Sequence, residues 1–98
     1  MIVKEVKSEL KDATAPIIKV LQKNEHVKVI VLGFKKGMGL KEHKTNAATK
    51  LVVIEGSINY IEGGASVIID AFEDMDIPVN APHAVEALED SICFLIQG

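Results

Sequence analysis

The apolar residues fall in short blocks separated by glycine, proline and charged residues, and most blocks read as strands. Val27 to Phe34, VKVIVLGF, is apolar on both faces apart from Lys28, the pattern of a strand covered on both sides. Gly33 inside it marks a bulge or a close backbone approach. Leu51 to Ile61 is a longer apolar stretch interrupted by Glu55-Gly56, which predicts one strand bent at a glycine bulge. Glu62-Gly63-Gly64-Ala65 is the strongest turn signal in the chain, so Ser66 to Ile69 is expected to pair back as a hairpin. His83 to Ala87 and Ser91 to Ile96 are expected to form a last hairpin around Leu88-Glu89-Asp90.

The remaining segments are shorter. Met1 to Lys7 alternates weakly and reads as an edge strand, followed at Ser8 to Thr14 by at most one helical turn. Pro16 to Leu21 fits either a helix face or a strand; the polar turn at Gln22 to His26 and the β-strand beyond it favour a hairpin. Lys35 to Gly39 is a turn in which Gly37 and Gly39 can supply positive φ. Ala71 to Asp76 is an acidic corner, and Ile77-Pro78 a short strand ended by Val79 to Pro82. The sum is about eight or nine short strands at the spacing of an all-β sandwich or barrel. The dimer contacts expected from this layout are Ile2-Val3 and the Val27 to Phe34 strand, through a shared sheet or packed faces, because a short open barrel leaves edges that need pairing or covering.

Composition narrows the class. The 98 residues suffice for one domain, 48% of them apolar, with four aromatics and no tryptophan, so the core is built of Val, Ile, Leu and Ala. A net charge of −3 with both signs interspersed excludes the basic stripe that nucleic acid requires. The single cysteine, Cys93, rules out an intrachain disulfide and sits in an apolar strand as a small hydrophobe. No segment has signal-peptide character or approaches the roughly 18 apolar residues of a membrane span, so a soluble cytoplasmic protein is expected.

The candidate chemistry lies in two stretches, Gly37 to Gly56 with His43 and Ile77 to Val85 with His83. A period of two places His43 with Thr45 on one strand face, and His83 with Val85 and Ala87 on another. If those faces meet, both imidazoles reach one cavity, where either can contact a ligand or act as a general base near neutral pH. His26 falls in a surface turn, Lys44 on the face opposite His43, and Glu55 and Glu62 at solvated bends. Met38 and Met75 read as gap-fillers.

These two stretches resemble the paired motifs of the cupin family, G(X)5HXH(X)3-4E(X)6G and G(X)5PXG(X)2H(X)3N. In the first, the opening glycine falls among Gly37, Met38 and Gly39; His43 takes the first histidine, Thr45 and Thr49 replace the second histidine and the glutamate, and Gly56 closes it. In the second, Pro78 and His83 match, while Phe72, Asn80 and Ala87 stand at the two glycines and the final asparagine. The resemblance covers about residues 27–97 and implies an all-β, single-domain jelly-roll barrel (double-stranded β-helix) over 1–98, with 1–26 as N-terminal strands and connecting segment. Cupins that bind metal use a three-histidine, one-glutamate set for Fe, Mn, Ni, Zn or Cu. Only His43 and His83 of that set remain here, so no certain cofactor is expected and at most a weakly bound divalent metal. The function expected is binding of a compact polar molecule in the barrel lumen by His43, Thr45, Thr49 and His83, in a homodimer. The alternatives are a metal-dependent oxygenase or isomerase and a dimeric regulatory or assembly module.

Overall fold

The computed structural model describes residues 1–98. One helix, α1 (Ile2–Glu9), continues into a 3-10 turn (Leu10–Asp12) and precedes nine strands. These are β1 (Ile17–Lys23), β2 (Lys28–Phe34), β3 (Gly39–His43), β4 (Thr49–Glu55), β5 (Ser57–Glu62), β6 (Ala65–Asp70), β7 (Asp74–Ile77), β8 (His83–Ala87) and β9 (Ser91–Gln97). They form two antiparallel sheets, ordered β1-β2-β9-β4-β7 and β3-β8-β5-β6. The expected all-β barrel of jelly-roll type is what the chain adopts. No helix is long and apolar enough to cross a membrane.

Period-two patterning sets the inner faces. Along β4 the residues Thr49, Leu51 and Val53 are buried, and along β8 His83, Val85 and Ala87 are buried, while their neighbours are more exposed. Between the sheets Leu51, Val53, Val85 and Ala87 join Leu32, Phe34, Ile58, Tyr60, Ile69, Ile77 and Cys93 in one apolar core. Met38 and Met75 pack against its margin, as gap-filling thioethers do.

The N-terminus departs from expectation, because Ile2 to Glu9 is helical rather than an edge strand. Ile2, Val3, Val6 and Leu10 follow a helical spacing once Leu10 is counted with the rest. Val6 packs with Val31 and Ile92 on the outer face of the five-stranded sheet, flanked by Ile2, Val3 and Ile17. Gly33 is the close approach, not a bulge: a Cβ there would stand 2.7 Å from Val6 Cγ1. Salt bridges from Lys19 on β1 to Glu5 and Glu9 hold the exposed side of α1.

Two further expectations are corrected. Leu51 to Ile61 is two strands in different sheets, β4 and β5, and the chain changes sheet at Gly56, whose φ is +89°. Ser91 fixes that corner: its Oγ accepts the Ser57 N–H at 3.1 Å and donates to the Glu89 carbonyl at 2.8 Å. β8 and β9 do not pair as a hairpin, because β8 lies between β3 and β5 while β9 lies between β2 and β4. β1 and β9 pair on either side of β2, as expected of a strand between sheet neighbours, and Ile2-Val3 is helical, so of the two kinds of dimer contact expected there a shared sheet is excluded and a packed face remains. The Gly63-Gly64 hairpin holds, with Glu62 opposite Ala65 and both glycines at positive φ.

Candidate functional site

Three strands of the second sheet bring the polar residues together. His43 is the last residue of β3 and pairs across the ladder with His83, the first residue of β8. His83 in turn pairs with Glu62, the last residue of β5. Directly opposite residues share a sheet face, so Glu62, His83 and His43 form one row at the end of the barrel. A register shift in β3 between Leu40 and His43 brings His43 into that row.

The two imidazoles touch. Their ring centroids lie 4.3 Å apart at an interplanar angle of 57°. His83 is 2% exposed, while His43 is on the solvent side of the pair. His43 Nδ1 lies 2.8 Å from the Lys41 carbonyl, and His83 Nδ1 lies 2.9 Å from the Ala81 carbonyl. A carbonyl only accepts, so each Nδ1 carries the proton and donates it. In the neutral rings each Nε2 is then left with a free lone pair.

Below His83 the ring of Tyr60 stacks at 5.7 Å and 22°. The Tyr60 hydroxyl donates to Glu62 Oε1 at 2.7 Å. Burial, and then this bond to Glu62, push the phenol well above its ordinary range, so it stays a donor. A cavity of about 230 Å³ adjoins this pair, lined by Tyr60, Glu62, Ala65, Ser66, Val67 and Met75. A larger cavity of about 640 Å³ lies at the first turn of α1, among Met1, Ile2, Val3, Lys4, Lys7 and Leu21, away from this chemistry.

Thr45 and Thr49 occupy a different arrangement. Their hydroxyls both donate to the Ala47 carbonyl, at 3.2 and 3.0 Å, so their protons are used inside the loop between β3 and β4. The Thr45 carbonyl accepts the Asn80 N–H at 2.7 Å, which ties that loop to the one entering β8. Asn80 holds φ +61° and Phe72 φ +72°, both at positions where the resembling motif has glycine. His26 lies in the exposed turn after β1, where Asn24 Oδ1 accepts its N–H at 2.8 Å.

The donor set does not fit a tight metal site. No group of three or more His, Cys, Asp or Glu side chains is placed to hold an ion. His43 and His83 supply two of the three or four protein ligands such sites use, the Glu62 carboxylate in the same row is not grouped with them around one point, and threonine hydroxyls are poor ligands for first-row divalent ions.

Glu62 is a residue that sequence reasoning set aside as solvated. It is half-buried, and Tyr60 holds its carboxylate. Its place on the same face as Tyr60 is legible from the two-residue period of the strand, but its pairing with His83 is a long-range contact with no local signal.

The sequence itself matches no family model and no curated protein. Solved structures do match. A cupin 2 conserved barrel domain protein from Leptotrichia buccalis is 28% identical, with a TM-score of 0.80 over 86% of this chain and 41% of that one. An RmlC-like cupin from Desulfovibrio desulfuricans is 23% identical, with a TM-score of 0.79 over 86% and 82% of the two chains. KdgF from Halomonas sp. is 16% identical, with a TM-score of 0.78 over 87% and 81%.

Proposed function

Because the chain folds as a barrel of the cupin superfamily, we propose that it binds a compact polar molecule where His43 and His83 meet, without a tightly held metal. One observation carries the reading: two imidazoles in contact, each with its Nδ1 proton committed to a backbone carbonyl and its Nε2 free. Fixing the tautomer through a backbone bond is how proteins present an imidazole nitrogen to a ligand. The apolar core fills the space between the sheets, which favours the barrel end over the lumen as the binding place. A neutral Nε2 in that position also suits proton transfer to or from a bound molecule.

The competing reading is a divalent cation held weakly by the same two Nε2 atoms, with water completing its shell, as the start of metal-dependent oxygenase or isomerase chemistry. Elemental analysis of protein purified without a His tag separates the two. Well below one metal per chain is expected, and a stoichiometric divalent metal resistant to dialysis overturns the metal-free reading. His43→Ala and His83→Ala are expected to abolish ligand-induced thermal stabilisation while leaving the fold intact.

A homodimer is part of the same proposal. β1 has an unpaired outer edge, and Ile18, Val20 and Leu21 on it are 57%, 47% and 41% exposed, an apolar strip that a second copy would cover. Sedimentation is expected to give about twice the chain mass of 10.6 kDa, and a 10.6 kDa species at micromolar concentration counts against it.

A further inference from the structure

Glu62 fixes the chemical character of the molecule that the histidine pair would take. Its carboxylate is half-buried and has no cationic side chain within salt-bridge distance, since the chain's ion pairs involve Glu5, Glu9, Glu55, Asp74 and Asp76. Tyr60 donates to Oε1, and no protein group donates to Oε2. Oε2 is not a fully buried orphan, because no buried side-chain oxygen or nitrogen lacks a partner. It is therefore open to a ligand.

The row Glu62–His83–His43 thus presents acceptors only: one carboxylate oxygen and two Nε2 lone pairs on one face of three adjacent strands. An oxyanion placed there would meet three acceptors and a negative charge. A molecule with several N–H or O–H donors would meet a partner for each. The uncompensated charge of Glu62 further selects a cationic donor, because a charge-assisted hydrogen bond is stronger than a neutral one. The adjoining cavity of about 230 Å³, with Ala65, Val67 and Met75 on its wall, has room for a few carbon atoms beside the carboxylate.

We infer that the site takes a small amine bearing hydroxyl groups, its ammonium on Glu62 and its hydroxyls on the two Nε2 atoms, with Tyr60 holding the carboxylate in place. This inference rests on the reading of His43 and His83 as the binding site. Tyr60 is a positioning residue, since it acts through Glu62.

The test is a ¹H–¹⁵N NMR titration at neutral pH in a buffer free of Tris and phosphate, with three probes: 3-amino-1,2-propanediol, glycerol and inorganic phosphate. The aminodiol is expected to shift the His43, Glu62 and His83 amides saturably, glycerol to do so more weakly, and phosphate not at all. Glu62→Gln is expected to weaken the aminodiol by about tenfold, the loss of one charge-assisted bond. Tyr60→Phe keeps the charge and is expected to weaken it only a few-fold; the dispersion of both variant spectra reports their folding. Phosphate shifting the histidine amides while the aminodiol does not would overturn the ligand class and leave the site reading standing. Equal binding of glycerol and aminodiol, unchanged in Glu62→Gln, would overturn the role of Glu62. Silence from all three probes overturns both this inference and the reading it rests on.

Discussion

Phe72 occupies a conformation that its side chain disfavours, and replacing it with glycine should stabilise the protein. The turn from Asp70 to Glu73 closes with the Glu73 N–H donating to the Asp70 carbonyl at 3.0 Å. Its third residue, Phe72, holds φ +72°, the position that glycine fills in a type II turn. The turn is pinned, because the Phe72 N–H donates to the Val53 carbonyl at 2.7 Å and the Glu73 side chain accepts the Asp70 N–H at 2.8 Å. A left-handed conformation costs a side-chain-bearing residue about 1–2 kcal/mol. The Phe72 side chain returns little of that through packing, since the residue is 88% exposed. Glycine removes the penalty and adds about 0.5–1 kcal/mol of unfolded-chain entropy, so Phe72→Gly should gain about 0.5–1 kcal/mol net. For a domain of this size that is a rise in Tm of about 2–8 °C. Phe72→Ala keeps the strained backbone and removes the ring, so it should change stability by less than about 0.5 kcal/mol. Thermal and urea unfolding of the three proteins, with unchanged m-values, measures both differences. If Phe72→Gly is no more stable than the parent while Phe72→Ala loses stability, the ring is contributing packing and the strain argument fails.

Two further outcomes follow from the packing. Gly33→Val places a branched side chain where a Cβ already falls 2.7 Å from Val6 Cγ1. It should lift α1 and cost about 1–3 kcal/mol in urea unfolding, while the amide shifts of His43 and His83 stay unchanged. Cys93 is fully buried, and burial pushes its thiol pKa up to about 12, well above that of a free thiol. The native thiol should therefore resist iodoacetamide at pH 8 and react once the chain is unfolded in urea. The same shift has a stability consequence. A group that holds its proton more tightly in the folded state favours folding fully below its unfolded value, and that stability declines as pH rises from about 9 toward 12. Unfolding at pH 10.5 should show a loss of about 2 kcal/mol relative to pH 8 from this thiol, at about 1.4 kcal/mol per pH unit. Cys93→Ala should remove that part of the slope, and an identical slope in the variant would refute the assignment.

What the sequence determined on its own was local. Alternation along Thr49 to Val53 and along His83 to Ala87 named the buried face of each strand, because a side-chain period of two is a property of the strand alone. Gly63-Gly64 specified its hairpin, since two successive residues at positive φ demand that chemistry. The left-handed backbone at Asn80 was legible the same way, from a residue type that tolerates it at a motif glycine position. Val27 to Phe34 announced a strand covered on both faces, and it is covered by the core on one side and by α1 on the other. The helix itself was missed because reading Ile2, Val3 and Val6 as a strand left out Leu10, the residue that completes the helical stripe over Gly33.

What only the tertiary structure decided was partnership. Strand alternation is the same whichever sheet a strand joins, so nothing local said that Gly56 moves the chain from one sheet to the other. Nor did it say that β8 and β9, neighbours in sequence, pair with different strands. The candidate site depends on those choices. His43 and His83 are 40 residues apart in sequence, and they meet because β3 and β8 pair at their ends. Glu62 joins them only because β5 flanks β8 on the other side. A strand's hydrogen-bond partners are set by the whole packed arrangement, and residues that look solvated one by one become a site when the ladder places them side by side.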